Sequence, residues 1–352
     1  MNFPAMIPWG WMVPLSIACG NTVVLKASSQ TPLTAMRIME LFYTEGGFPK
    51  GVVNLVTCSR VEADILLTDE RVKAVTFVGT TGVGKQVYSK AAAHGKRVQA
   101  QCEAKNHALV LEDCNLEATV NAIINSTYGC AGMRCMALPV VCVQDSIADE
   151  FVSLLKKKAE AMKLGCAYDE DTDLGPVVNA GHKEKICNWI QKGIDEGAEL
   201  VLDGRNVPGY ENGFFVGPTI LDHVTPEMTV GNREIFGPVT CIKRVKDYEE
   251  GIAVMNSNPF ANGSCIFTQS GYYSRKFAME TDGGMVGINV GIPVPTAYFP
   301  FSGNKDSFFG DLHVLGKDGY CFFTRAKTVT THWFDEAAGK RKVGTWEGST
   351  EA

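Results

Sequence analysis

The 352-residue chain carries no charged side chain before Lys26, no Cys-x-x-C pair among its twelve cysteines, and no internal repeat or low-complexity linker. Each absence excludes something. Without Cys-x-x-C pairs or Cys/His clustering there is no zinc framework to read. Scattered cysteines in a long chain point instead to a reducing compartment, with most of them expected as small buried apolar residues. The uncharged start lacks the basic n-region of an export signal. Pro4, Pro8, Pro14, Gly10 and Gly20 would also break any helix spanning a bilayer. Cys19 after Leu15-Ser16-Ile17-Ala18 only loosely resembles a lipoprotein cleavage site, so a buried helix in a larger fold is expected and a membrane partner is not. Positive charge is short as well. With 33 Lys and Arg against 39 Asp and Glu, the net charge is −6, which gives no electrostatic footprint for nucleic acid. The local cluster Lys340, Arg341 and Lys342 lies in a polar tail and reads as a solvated end.

What is present is an ordinary soluble mixture, 45% hydrophobic and 20% charged, on a chain long enough for two packed domains. From Asn21 to about Asp113, short β-branched runs alternate with helical stretches, the signature of a parallel α/β sheet. Asn21–Lys26, Val52–Thr57, Ala74–Gly79, Arg97–Cys102 and Ala108–Leu111 read as strands. Pro32 opens a helix reaching Glu45, with Ala35, Ile38, Met39 and Phe42 on one face. A short helix is expected over Val61–Leu67 and another from Gly84 to about Ala93. A second α/β region begins near Leu116. Its helix from Ser146 carries the apolar stripe Ile147, Phe151, Leu154, Leu155 and Met162, with Lys156, Lys157 and Lys158 mostly facing water. Further strands are expected at Leu200–Leu202, Cys241–Val245, Cys265–Phe267 and Val286–Val290. Ala326–Thr331 resembles an exposed strand that could pair with another subunit.

Three segments could carry chemistry. Gly79-Thr80-Thr81-Gly82-Val83-Gly84 lies between a strand and a helix, where glycines allow close backbone approach and a helix N-terminus can receive a phosphate. Its spacing is GxxGxG rather than GxGxxG, so a plain strand-to-helix turn explains it equally well. In Tyr128–Ala137, small residues leave the Cys135 sulfur accessible and Arg134 supplies a neighbouring positive charge, conditions that favour a thiolate nucleophile. The bland alternative is a buried cysteine in a Gly-bent segment. In Asn232–Pro238, a carboxylate, an aromatic and a Gly-Pro turn could grip a ribose and steady a flat ring, or form only a surface turn.

Their order and company carry more weight than any one of them. Asn2-Phe3-Pro4, GNTVVLK ending at Lys26, QTPLTA at Gln30–Ala35, FVGTTGVGK, the Cys135 segment, EIFGPV at Glu234–Val239 and PFSG at Pro300–Gly303 succeed one another as in the aldehyde dehydrogenase superfamily. The chain resembles that family across nearly its whole length. Within it, KRVQ at Lys96–Gln99, AKNH at Ala104–His107, RCMA at Arg134–Ala137, NGFFVGPTI at Asn212–Ile220 and SFFGDLH at Ser307–His313 are similar to the CoA-acylating branch. That branch acts on methylmalonate or malonate semialdehyde.

The resemblance implies an aldehyde dehydrogenase-like α/β fold. It comprises an incomplete Rossmann-type NAD-binding domain over 1–106, a catalytic domain over 107–317, and a C-terminal oligomerisation strand and tail over 318–352. It implies that Cys135 attacks the aldehyde, with the oxyanion held by the Asn2 amide and the Cys135 N–H. Lys26 would hold the adenosine ribose, Gly79 and Thr80 the pyrophosphate, and Glu234 the nicotinamide ribose, with Phe236 beside the ring. Arg134 would pair with the substrate carboxylate. Cofactor NAD, co-substrate CoA, assembly as a homodimer or homotetramer, and a cytoplasmic (or mitochondrial matrix) location complete the expectation.

Relatives that hydrolyse their acyl-enzyme usually read ELGGK, where Glu activates water; here the segment is Gln101-Cys102-Glu103-Ala104-Lys105. An amide takes no proton at neutral pH, so the acyl-enzyme is expected to await a thiol such as CoA. Other departures bear on function. The family continues upstream of Asn-Phe-Pro, and Ser29 stands where many NAD-preferring relatives carry Glu, which leaves NADP open. Met133 replaces a commonly polar residue, and Asn304 and Asp306 depart from the C-terminal motif. Glu103 replaces a usual Gly, and on a strand it would share a face with Gln101. Two alternatives arise: a hydrolytic enzyme using Glu103 as base, and a truncated, non-catalytic homologue.

Overall fold

The computed structural model describes residues 7–333. Asn2 and the basic tail therefore lie outside the described residues. Within the uncharged opening segment, a π-turn over Pro8–Met12 runs into α1 (Val13–Ala18), with Trp9, Met12 and Val13 buried. This is the buried helix its prolines and apolar side chains suggested. β1 (Val23–Lys26) and β2 (Val53–Val56) pair in parallel through α2 (Pro32–Thr44). Pro32 starts α2 at its first turn, where a missing N–H costs nothing. The α2 face of Ala35, Ile38, Met39 and Phe42 packs with Trp9, Val13 and Val53.

After a short turn and α3 (Ile65–Thr68), β3 (Ala74–Val78), α4 (Thr81–Ala93) and β4 (Arg97–Gln101) make a second parallel pair. Here the structure corrects the sequence reading, because α4 begins at Thr81 and takes in Gly82-Val83-Gly84. The glycines suggest a loop on propensity, but Gly84 faces β4. A Cβ there would lie 2.2 Å from Cys102 Sγ, so this helix can approach the sheet only with glycine at that position.

The larger sheet is built from β5 (His107–Val110), β6 (Val140–Gln144), β7 (Glu199–Leu202), β8 (Thr219–Asp222), β9 (Val239–Val245), β11 (Gly263–Phe267) and β12 (Met285–Ile288). Their order across the sheet is β12-β11-β5-β6-β9-β8-β7. All pair in parallel except β7, which runs antiparallel at the edge. The β5 and β6 strands are buried on both faces, which is why they read as continuous apolar runs. The helices α5 (Leu116–Tyr128), α6 (Asp145–Glu160), α7 (Ala180–Asp195), α8 (Tyr248–Asn256) and α9 (Gly271–Glu280) complete this unit. In α6 the predicted stripe packs inward through Phe151 and Leu155, while Lys158 pairs with Glu117 and Lys156 with Glu160.

The chain then returns to the first unit. β10 (Phe260–Ala261) pairs with β13 (Asn304–Lys305), β14 (Phe308–Phe309) adds antiparallel to β4, and α10 (Gly316–Phe322) packs on α1. Ala326–Thr331 is exposed and pairs with no strand among the described residues. One expectation fails. None of the twelve cysteines forms a disulfide, and only Cys102, Cys142, Cys241 and Cys265 are buried, against the expectation that most would be; Cys130 and Cys166 are exposed. Cysteine's tolerance of the core does not decide where a given one sits.

Candidate active site

The segment around Cys135 is shaped by its neighbours. Asn115 caps α5 by accepting the Ala118 N–H (3.0 Å). The last residue of α5, Tyr128, is fully buried, donates to the Thr219 carbonyl and accepts from the Thr240 hydroxyl (2.7 Å), which ties the helix end to β8 and β9. The chain next passes through Cys130 and Ala131, both at φ +54°, and Gly132 at φ +66°. A Cβ on Gly132 would sit 2.1 Å from the Gly237 carbonyl oxygen. Backbone contact between the Cys135 segment and the Gly237-Pro238 turn therefore demands glycine there, and it brings two distant motifs together.

Two buried amides hold the backbone from Cys135 to Ala137. Asn106 Nδ2 donates to the carbonyls of Cys135 (2.9 Å) and Ala137 (2.8 Å), and its Oδ1 accepts the Gly263 N–H (2.8 Å). Asn262 Nδ2 donates to the Cys135 carbonyl as well (3.3 Å). The Cys135 thiol is deeply enclosed, and its pKa is pushed up to about 12, first by loss of solvation and then by the Glu234 carboxylate. The backbone N–H groups of Cys135 and Met136 act in the opposite direction.

Glu234 accepts the Ala104 N–H (3.0 Å). Burial raises its carboxyl to about 7 and Glu103 adds to the rise, opposed by that hydrogen bond and by Lys105 and Lys185. Phe236 holds φ +60°, a left-handed conformation that is uncommon for an aromatic residue. Its carbonyl accepts a 2.7 Å hydrogen bond from His182 Nε2 at the start of α7. Beneath them, Lys105 is fully buried and its ammonium is disfavoured by burial.

Cys135, Glu234, Phe236, His182, Glu103, Gly79, Thr80 and Lys26 all line one cleft of 2220 Å³ between the two units. Of the residues the sequence singled out, Ser29 is exposed and does not line it; Ser28 does. Arg134 does not line it either. Its guanidinium folds back over Gly129, with Nε 3.3 Å from Cys130 Sγ and Nη1 3.4 Å from the Asn125 carbonyl. Gln101 is buried, donates to the Phe301 carbonyl (3.2 Å), and borders a small cavity with Cys135 and Asn262.

Glu103 takes a different course from Gln101, because β4 ends at Gln101. Its carboxylate accepts the Thr81 N–H at the head of α4 (2.9 Å). The shared face expected of two strand residues is therefore lost. Sequence reasoning missed the positioning roles of Asn106, Asn262 and His182. Asn106 stood within a quoted motif, but single polar residues have no periodicity to mark them. Among the described residues no group of three His, Cys, Asp or Glu could hold a metal ion, and no helix is long and apolar enough to cross a membrane.

A model of the aldehyde dehydrogenase family matches residues 1–329. Malonate-semialdehyde dehydrogenase 1 of Oceanobacillus iheyensis is 49% identical over 334 residues, covering 95% of this chain and 68% of its own. The crystal structure of methylmalonate-semialdehyde dehydrogenase from Oceanimonas doudoroffii superposes with a TM-score of 0.93 at 44% identity, over 96% of this chain and 70% of that one. A Sinorhizobium meliloti 1021 protein described as a methylmalonate-semialdehyde dehydrogenase, complexed with NAD, gives 0.92 at 42%, over 95% and 68%. With the fold, the motif order and these likenesses in agreement, the chain belongs to the aldehyde dehydrogenase family of enzymes.

Proposed function

We propose that this chain oxidises malonate or methylmalonate semialdehyde with NAD through a thioester on Cys135, and passes the acyl group to CoA with loss of CO2. The observation that carries the CoA-dependent reading is the pairing of Cys135 with Gln101 along one small cavity. A side-chain amide there cannot draw a proton from water, so a thioester beside it outlasts its hydrolytic counterparts. The hydrolytic alternative needs Glu103 as base, and that carboxylate is committed to the Thr81 N–H.

The cleft residues fit a nicotinamide dinucleotide. Lys26 lies at the C-terminal end of a parallel strand, where such ligands bind in open α/β sheets. Thr80 lies at the head of α4, and Glu234 and Phe236 line the same cleft as Cys135. When bound, the nicotinamide supplies the hydride acceptor. The protein's own part is to form the thiolate, hold the oxyanion with the Cys135 N–H, and orient the aldehyde. With its thiol at about 12, Cys135 is protonated at neutral pH, so forming the thiolate is a step that the site must drive. Arg134 would meet the substrate carboxylate by swinging away from Cys130 and the Asn125 carbonyl.

The decisive experiment measures NADH formation from malonate and methylmalonate semialdehyde, with and without CoA, with Cys135→Ser as control. Turnover requiring both CoA and Cys135 is expected. Equal rates without CoA would overturn the acylating route, and absence even of a single-turnover burst would overturn the activity.

A further inference from the structure

Glu103 is the carboxylate that this site's chemistry has no use for. It lines the cleft with Thr80, Glu234 and Cys135, and makes no ion pair among the described residues. What holds it is the head of α4: its carboxylate accepts the Thr81 N–H (2.9 Å), and its own N–H donates back to the Thr81 hydroxyl (3.3 Å). The main chain is pinned further, because the Ser307 hydroxyl donates to the Glu103 carbonyl (2.7 Å) and the Thr81 hydroxyl to the Asp306 carbonyl (3.0 Å). The nearby cation Lys85 is engaged with Asp306 (3.1 Å).

A helix N-terminus attracts one anion well, through its free N–H groups and the positive end of its dipole. α4 is 13 residues long, and in this structure a side chain of the same polypeptide already supplies that anion. The dinucleotide reading assigns the same helix head to a pyrophosphate. Two anions a few ångströms apart in a partly desolvated cleft repel strongly.

We propose that Glu103 is an internal competitor for the phosphate position at the head of α4, so that its carboxylate weakens cofactor binding and sets the affinity. The inference rests on the dinucleotide reading, applied to a residue that reading leaves without a role. Binding requires the carboxylate to give up the Thr81 N–H and leave the helix head. The cost falls on ligands carrying phosphate at that position and not on adenosine alone.

The test is binding, read by quenching of intrinsic tryptophan fluorescence, of NAD, ADP and adenosine to the unmodified protein and to Glu103→Gln and Glu103→Gly. Glutamine keeps the shape and an acceptor for the Thr81 N–H, so its fold is preserved; glycine empties the position. The expected result is a Kd for NAD and ADP at least fivefold tighter in both variants, with adenosine unchanged. Equal NAD affinity in all three proteins would overturn the competitor while leaving the dinucleotide reading intact. A gain shared by adenosine would also overturn it, because the effect would then be steric. No NAD binding by any of the three would overturn the dinucleotide reading itself, and the inference with it.

Discussion

Glu234 shows how one side chain couples the site to the stability of the whole chain. Its carboxyl is held at about 7 in the folded state, chiefly by burial, against an ordinary value of 4.5. Below pH 4.5 both folded and unfolded chains carry the proton and this group makes no difference. Between 4.5 and 7 the unfolded chain releases the proton while the folded chain keeps it, so stability falls as pH rises through that window. The full effect is about 3 kcal/mol. Glu234→Gln removes the titration, and its unfolding free energy is expected to lose that part of the decline between pH 5 and pH 8. Denaturant melts of both proteins at the two pH values check this, and matching pH slopes would refute it.

At the scale of elements, the backbone at Cys135 depends on parts far from it in sequence. Asn106 lies just beyond β4, yet its amide spans Cys135, Ala137 and the Gly263 N–H at the start of β11. Asn106→Ala would leave the Ala137 carbonyl and the Gly263 N–H without this partner and the Cys135 carbonyl with Asn262 alone, with an expected loss of about 2–4 kcal/mol. Because the Cys135 carbonyl loses a restraint, activity should fall at temperatures where the variant is still folded. Thermal melts paired with initial rates separate the two effects, and a variant that is destabilised yet turns over at the normal rate would contradict the positioning role. The same elements show what the sequence could reveal. Strands such as β5 and β6 are apolar runs bounded by turn residues, and periodicity finds them. The start of α4 at Thr81 was hidden because Gly84 answers to close packing against Cys102, which propensity does not record. The Cys135 and Glu234 segments stood out as motifs. The turn of Glu103 toward Thr81 depends on where β4 stops, and no residue spacing encodes that.

Across the whole molecule the two halves differ in how their strands are joined. The large sheet has seven strands, whereas among the described residues β1–β2 and β3–β4–β14 are separate sheets whose edge strands β1 and β3 both line the cleft. Val23 donates to the Val52 carbonyl just before β2, Ala27 to the Val56 carbonyl at its end, and Gly79 to the Gln101 carbonyl. By the alternation of a parallel ladder, the N–H groups of Val24, Lys26, Thr76 and Val78 then point away from their paired strands and toward the cleft. Unpaired edges with exposed apolar residues such as Val24 leave these strands less protected than the core. Amide hydrogen exchange at single-residue resolution should therefore show Val24, Lys26, Thr76 and Val78 exchanging orders of magnitude faster than Leu109, Cys142 and Ile242 in the large sheet. Slow exchange at all four would mean that those edges are paired in solution and the cleft is narrower than described. Fast exchange would place the least stable backbone along the cleft. Ligands that bridge Lys26 and the head of α4 would then protect the amides of β1 and β3 selectively and leave the seven-stranded sheet unchanged.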